Sequence, residues 1–286
     1  MQNNKNNVLI VNSEYLNKVK KSISKLGYKS FHVISDFDRT LTRAFVDGEK
    51  VPSIISVLRD GNYLTKEYAE RANALFEKYH PIEVNPNISR EEKKKTMYEW
   101  WSSHFKLLIE SGLNKKDLEK VVKSKKIKLR DGALEFIDSL HKDNIPLIIL
   151  SSGGLGVESI SMYLEKENKM YDNIHIISNS FEWDKNGRAV SVKQPIIHNL
   201  NKDETSIKKF SFFKLIKDRK NVLLLGDNLE DVDMVKGFKY DNLIKIGFLN
   251  ENVDNNIDYY KKVYDIVILN DSSMDYVNTL LKEIMG

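Results

Sequence analysis

Two carboxylates, Asp36 and Asp38, stand one residue apart in "VISDFDRTLTR", directly after a short apolar run. Two further acids, Asp227 and Asp231, lie in "NVLLLGDNLEDVD". Ser151 and Ser152 close "PLIILSSGG" and are followed by two glycines, and "IIHNLNKDE" supplies Lys202. One carboxylate of a pair can attack as a nucleophile while its neighbour gives and takes protons. A hydroxyl beside free backbone N–H groups can hold a phosphate. Three acids brought together repel unless a cation neutralises them, and all-oxygen donors suit a hard ion, foremost Mg²⁺. Alone, "DFDRT" reads equally well as a turn or a helix cap. Chemistry requires the four segments to converge.

Convergence depends on the elements that carry them. "FHVIS" (31–35), "PLIILS" (146–151), "NIHIIS" (173–178), "NVLLLG" (221–226), "NLIKIGF" (242–248) and "YDIVIL" (264–269) are short apolar runs bounded by polar or turn residues. Such runs are expected of strands buried on both faces. Helical patterns over 131–143, 203–218, 229–238 and 251–262 alternate with several of them, and "EYLNKVKKSISKLG" is a helix stopped at Gly27. The alternation predicts an α/β fold with a Rossmann-like parallel sheet. In an open parallel sheet, ligands bind beyond the carboxyl ends of the strands, where three of the four segments end. Residues 180–195 read as a hairpin turning at "DKNG". Residues 45–129 contain no buried-strand pattern, only helical segments such as "TKEYAERANALFEKYH" and "EEKKKTMYEWWSSHFKLLIESG". This predicts a helical cap over 44–129, inserted into a core made of 1–43 and 130–286.

The 286 residues include 45 basic and 41 acidic side chains, a net charge of +4 that does not mark a nucleic-acid binder. With no cysteine, disulfides and thiolate metal sites are excluded, and a reducing compartment fits. The apolar run near the amino terminus is too short for a signal peptide, and the longest apolar runs fall far below a membrane span. The expectation is a cytoplasmic monomer that binds neither membrane nor nucleic acid. The lysine runs at 93–95 and 123–128 read as solvated helix faces.

The four motifs, in this order, resemble those of the haloacid dehalogenase superfamily of phosphohydrolases. Together with "IEVNP", "EEKKKTMYEWW", "GRAVSVKQPIIHNLNKDE" and "YDIVILNDSS", they resemble the cytosolic 5′-nucleotidase III family over residues 8 to 285. That family comprises pyrimidine 5′-nucleotidases and relatives that hydrolyse 7-methylguanosine monophosphate. The resemblance implies Asp36 as the nucleophile that forms an aspartyl phosphate, and Asp38 as the general acid and base. It implies Mg²⁺ held by the Asp36 side chain, the Asp38 backbone carbonyl and Asp227. Ser151, the Ser152 backbone N–H and Lys202 would bind the phosphate of a nucleoside monophosphate. Asp231 would position Lys202 or a metal-bound water, and Thr40 would support the nucleophile loop. Three positions depart from the family pattern: Arg39 where a methionine is expected, Ser152 for an alanine, and Glu230 for a glycine.

For the base, the resemblance points to Glu83 in "PIEVNP" and Trp101 in "YEWWSSHF", with His104 or, one register back, Ser103 as a further contact. Adjacent Trp100 and Trp101 cannot share one helix face, so one should be core and the other nearer the cleft. A tryptophan face suits a cationic ring such as 7-methylguanine, although a neutral pyrimidine can stack there too. Two other readings stay open: a phosphatase of the same superfamily acting on another small phosphate ester, and a catalytically inactive nucleotide-binding relative.

Overall fold

The computed structural model describes residues 7–285 apart from positions 52, 86, 203–209, 211 and 238. In chain order, β1 (Val8–Ile10) leads to α1 (Ser13–Leu26) and β2 (Phe31–Ser35). The ribbon β3 (Phe45–Val46) and β4 (Glu49–Lys50) precedes α2 (Ile54–Asp60), α3 (Lys66–Val84), α4 (Arg90–Glu110) and α5 (Lys115–Lys123). Next come α6 (Ala133–Lys142), β5 (Leu147–Leu150), α7 (Gly156–Lys166), β6 (Ile174–Ile177) and the hairpin β7 (Phe181–Trp183) with β8 (Ala189–Val192). The chain closes with α8 (Phe213–Ile216), β9 (Asn221–Gly226), β10 (Asn242–Leu249), α9 (Val253–Val263), β11 (Ile266–Leu269) and α10 (Asp275–Met285).

Seven strands form one sheet in the order β1-β11-β10-β9-β2-β5-β6. All its pairings are parallel except that of β1 with β11. Every residue of β2, β5 and β9 is buried, which is why these strands read as continuous apolar runs. Each buried Leu, Ile or Val there contributes roughly 1.5–3 kcal/mol relative to exposure. Because both faces are apolar, the pairing itself aligns the strand ends. Ser35 lies opposite Ile149 on one side and Leu225 on the other. Asp36, Ser151 and Asp227 therefore emerge at nearly one level. The chain runs from β2 to β5 and β6 on one side, then crosses back to β9 and β10 on the other. The crevice at that reversal is where an open α/β sheet takes its ligand.

The chain leaves and re-enters the core side by side. Arg43 N–H donates to Lys128 O (2.9 Å), Arg130 N–H donates to Leu41 O (2.8 Å), and Thr42 bridges Leu129 in antiparallel fashion. Between these crossings lie α2 to α5 and the β3–β4 ribbon. Arg130, 1 % exposed, fixes the junction. Its Nε donates to Thr40 O (2.9 Å), its Nη1 to Ser272 O (2.7 Å) and its Nη2 to Asn250 Oδ1 (2.9 Å), while Asp271 pairs with Nη1 at 3.0 Å.

Three sequence expectations change. The helix expected over 229–238 is a 3₁₀ helix, Leu229–Val235. Its tighter turn draws Asp231 back beneath Gly226, where any side-chain carbon at 226 would stand 2.4 Å from Asp231 Cβ. Of the helix expected over 203–218, the described part is the single turn Phe213–Ile216, and positions 203–209 and 211 lie outside the described residues. The apolar run near the amino terminus, not expected to be a strand, forms the short, partly exposed edge strand β1.

Candidate active site

The carboxyl ends of β2, β5 and β9 open into a cavity of about 190 Å³. Asp36, Asp38, Arg39, Ser151, Ser152, Gly153, Lys202 and Asp227 line it from the sheet side, and Ser53, Ile55 and Trp101 from the helices above. Lys202 Nζ donates to Asp36 Oδ1 and to Asp231 Oδ1, both at 2.6 Å, with all three residues buried. The 3₁₀ turn Asn199–Asn201 delivers Lys202 to this place. Asp231 Oδ2 accepts the backbone N–H groups of Asp227 and Asn228, each at 3.0 Å. The turn after β9 is thus built around one carboxylate that also holds the lysine. The hydroxyls of Tyr260 and Tyr264 donate to the carbonyls of Asp227 and Asn228 from α9 and the residue after it.

Burial pushes the Asp36 carboxyl up to about 6, against the pull of Lys202. Asp38 is raised further, to about 7, by burial first and by the Asp36 charge second. Burial also raises Asp227 well above the usual carboxylate range, against the opposing charge of Arg39. Burial disfavours the charge of Lys202, but Asp231 and Asp36 outweigh it and hold the ammonium ionised. The pocket thus concentrates more negative charge than it neutralises.

Carboxylate oxygens of Asp36, Asp227 and Asp231 lie within 4.8 Å of one another, all buried. Asp231 accepts hydrogen bonds on both oxygens from behind the cavity, whereas Asp36 and Asp227 line it and could hold an ion there. An all-oxygen pair of buried acids, raised first by burial and further by the neighbouring carboxylates, fits a hard dication, which would favour their charged forms.

Of the residues singled out in sequence, Asp36, Asp38, Trp101, Ser151, Ser152, Lys202 and Asp227 meet at this cavity, and Asp231 stands behind it. Ser151 Oγ accepts the Gly153 N–H (3.0 Å), so the hydroxyl and the glycine turn are tied together. Trp100 is the core member of the tryptophan pair, stacked on Tyr79 at 5.9 Å, and Trp101 is the one at the cleft. Trp101 leans against Gly154, where an added Cβ would come within 2.6 Å of the indole.

The remaining residues are placed elsewhere. His104 is buried behind Trp101, with its ring stacked on the indole at 5.8 Å and its Nε2 3.1 Å from the Tyr68 hydroxyl. Ser103 lines a separate cleft between α3 and α4, because one step along a helix turns a side chain by about 100°. Glu83 is not part of the cavity lining. Its Oε1 accepts from Asn199 Nδ2 (2.8 Å) and its Oε2 lies 3.1 Å from His80 Nδ1. The Thr40 hydroxyl makes no hydrogen bond among the described residues, and Thr42 ties the loop instead, accepting the Arg39 N–H at 2.8 Å. Asn228, Ser53 and Ile55 also line the cavity although nothing in their local sequence marked them. Ser53 was detectable only as the cap of α2, which directs the Ile54 N–H onto Asp38 Oδ1 at 3.2 Å.

Comparison with known proteins identifies the family and the fold. Residues 39–285 match the family model of pyrimidine 5′-nucleotidase (UMPH-1). The chain is 34% identical over 283 residues to the 7-methylguanosine phosphate-specific 5′-nucleotidase of Gallus gallus, covering 98% of this chain and 97% of that protein. The crystal structure of cytosolic 5′-nucleotidase IIIB bound to cytidine superposes with a TM-score of 0.89 at 27% identity, covering 98% of this chain and 94% of the other. A haloacid dehalogenase-family hydrolase from Salmonella enterica serovar Typhi superposes with a TM-score of 0.57 at 14% identity, over 95% of this chain and 81% of the other, a likeness of fold.

Proposed function

The chain belongs to the pyrimidine 5′-nucleotidase (UMPH-1) family and is a 5′-nucleotidase on a haloacid dehalogenase-type fold, and we propose that it hydrolyses 7-methylguanosine 5′-monophosphate and pyrimidine 5′-monophosphates such as CMP and UMP with Mg²⁺. The observation that carries this reading is the presence of an indole, Trp101, over the same small cavity as Asp36, Asp38, Lys202 and Asp227. A phosphatase for phosphoserine or a sugar phosphate has no use for an aromatic face at that place. Trp101 stacks on the base, and a cationic 7-methylguanine gains most from it. The relatives named as specific for 7-methylguanosine phosphate support the same base.

In this reading, Asp36 attacks the phosphorus in line and takes the phosphoryl group as an aspartyl phosphate. Asp38, protonated near neutral pH by its burial and by Asp36, gives its proton to the departing 5′-oxygen of the nucleoside. As a carboxylate it then takes a proton from the water that attacks the aspartyl phosphate, which releases phosphate and restores Asp36. Lys202, the Ser151 hydroxyl and the Ser152 backbone N–H hold the phosphoryl oxygens while charge develops on them. Asp36, Asp227 and the Asp38 carbonyl would hold Mg²⁺, which would supply charge neutralisation at the phosphate. Asp231 keeps Lys202 against Asp36.

Residues 44–129 act as a cap and 1–43 with 130–286 as the catalytic core. A cavity of about 190 Å³ is smaller than most ligand pockets, ~300–1,000 Å³, so the cap opens to admit a whole nucleotide and closes over it. Glu83 reads the base edge once the Asn199 bond gives way. The protein acts as a cytoplasmic monomer on a small nucleotide, and no helix among the described residues is long and apolar enough to cross a membrane.

The test is phosphate release from 7-methylguanosine monophosphate, CMP, UMP, sugar phosphates and phosphoserine, with and without Mg²⁺. Nucleotides should be preferred by at least tenfold in kcat/KM. Equal turnover of phosphoserine would remove the base from the proposal and leave a general phosphatase.

A further inference from the structure

Arg39 enters the active site from an unusual backbone position. Its φ is +63°, in the left-handed region, and the surrounding structure holds it there. Its N–H donates to Thr42 Oγ1 (2.8 Å), and its carbonyl accepts from Asn250 Nδ2 (3.0 Å) as well as from Arg130. The backbone is pinned on both sides, which leaves the side chain as the part free to choose between partners.

Two carboxylates offer themselves. Arg39 Nε lies 3.3 Å from Asp227 Oδ2, an ion-pair contact without hydrogen-bond geometry. Arg39 Nη2 makes a true hydrogen bond to Glu251 Oε1 at 2.9 Å. Glu251 follows β10 and also pairs with Lys50 on β4, with its Oε1 2.7 Å from Lys50 Nζ. Lys202 is held by Asp36 and Asp231, and among the described residues Arg39 makes the ion-pair contact with Asp227. The other oxygen of Asp227 accepts from Asn228 Nδ2 at 2.9 Å. An ion arriving at Asp227 therefore meets an oxygen that Arg39 already occupies.

We propose that Arg39 is a built-in counter-cation of the metal site: its guanidinium competes with a divalent cation for Asp227, and Glu251, already hydrogen-bonded to it, is the carboxylate that retains it when the ion binds. This rests on the reading that Asp36 and Asp227 hold Mg²⁺. The guanidinium offers Asp227 a positive partner while no ion is bound. It opposes the ion once both are present, because like charges a few ångströms apart in a partly buried site repel strongly. Glu251 limits that cost by drawing the guanidinium toward the rim. The two residues therefore set cation affinity in opposite directions.

The experiment is calorimetric titration of Mg²⁺ alone, without nucleotide, into the full chain. Arg39→Met removes the charge and keeps an unbranched side chain with the same backbone demand, and it should tighten Mg²⁺ about tenfold. Arg39→Lys keeps the charge and should stay within about twofold of wild type. Glu251→Gln takes away the second seat and should weaken Mg²⁺ severalfold. Thermal melts and near-ultraviolet circular dichroism check folding, and Arg39→Gln replaces Arg39→Met if the latter does not fold. Asp227→Asn reports on the site itself. Wild-type affinity in Arg39→Met, together with loss of binding in Asp227→Asn, overturns this inference alone. Wild-type affinity in Asp227→Asn overturns the metal assignment and this inference with it.

Discussion

Lys202 and Asp231 meet at 2.6 Å with side chains that are 2% and 1% exposed, and the same ammonium reaches Asp36 at the same distance. One buried lysine is thus shared between the acid proposed to attack and the acid that shapes the turn after β9. Removing one partner of such a group leaves the others with charge they cannot solvate.

Lys202→Met should therefore cost both chemistry and stability. Loss of a positioned cation at the phosphate is worth about 10²–10³ in kcat. The fold should lose about 3 kcal/mol at neutral pH, less to the extent that Asp36 takes up a proton. Steady-state kinetics and urea unfolding of the same preparation measure the two effects. A variant with wild-type kcat would show that Lys202 is structural only.

Asp38→Asn should lower kcat for nucleotides by about 10²–10⁴, the usual span for loss of a general acid–base group. The deficit in the first half-reaction should shrink for p-nitrophenyl phosphate, whose leaving group needs no proton. Burst kinetics separate the two steps. An equal deficit for both substrates in that half-reaction would count against proton donation by Asp38.

Two buried histidines make stability depend on pH. Burial pushes His32 and His104 down to about 4. In the unfolded chain they protonate near 6.5, so below that pH the unfolded state binds protons that the native state refuses. Their contribution is intact above about 6.5 and is lost as pH falls toward 4. Between pH 7.5 and 5 each should cost on the order of 2 kcal/mol. His104→Gln isolates one of them from the titrating carboxylates, and its stability should fall less steeply than wild type over this range. Parallel pH profiles for the two proteins would refute the assignment.

Trp101→Tyr should penalise 7-methylguanosine monophosphate relative to CMP by about 0.5–1 kcal/mol in kcat/KM, the exposed-site cation–π magnitude. Glu83→Ala should weaken both substrates, since both bases present donors to a carboxylate. If Trp101→Tyr affects the two nucleotides equally, the cationic-base argument fails. If Glu83→Ala affects neither, the base edge is read elsewhere.

Much of the site was legible because β2, β5 and β9 are buried on both faces. Their apolar runs mark the strands, and the residue after each run falls where a parallel sheet binds ligands. Asp36, Ser151 and Asp227 could be placed together on that ground. The helices over the cavity were harder. Trp100, Trp101, Ser103 and His104 lie within one and a half turns of α4, and sequence spacing alone does not say which face meets the cleft. The structure turns Trp101 toward Asp36 and His104 behind it. Glu83 stands out in the sequence by its family position, but its hydrogen bond crosses 116 positions to Asn199, a pairing that no local pattern signals. The same holds for Arg130, whose partners Thr40, Ser272 and Asn250 are scattered along the chain.

Turnover of 7-methylguanosine monophosphate by purified Asp36→Asn in saturating Mg²⁺ decides whether Asp36 is the nucleophile. The amide keeps the shape of the side chain while removing the attacking oxygen and an ion ligand. A nucleophilic Asp36 requires a folded protein with no detectable phosphate release. A folded Asp36→Asn that retains more than about a tenth of the wild-type rate, a loss under ~1.4 kcal/mol, would contradict attack by Asp36.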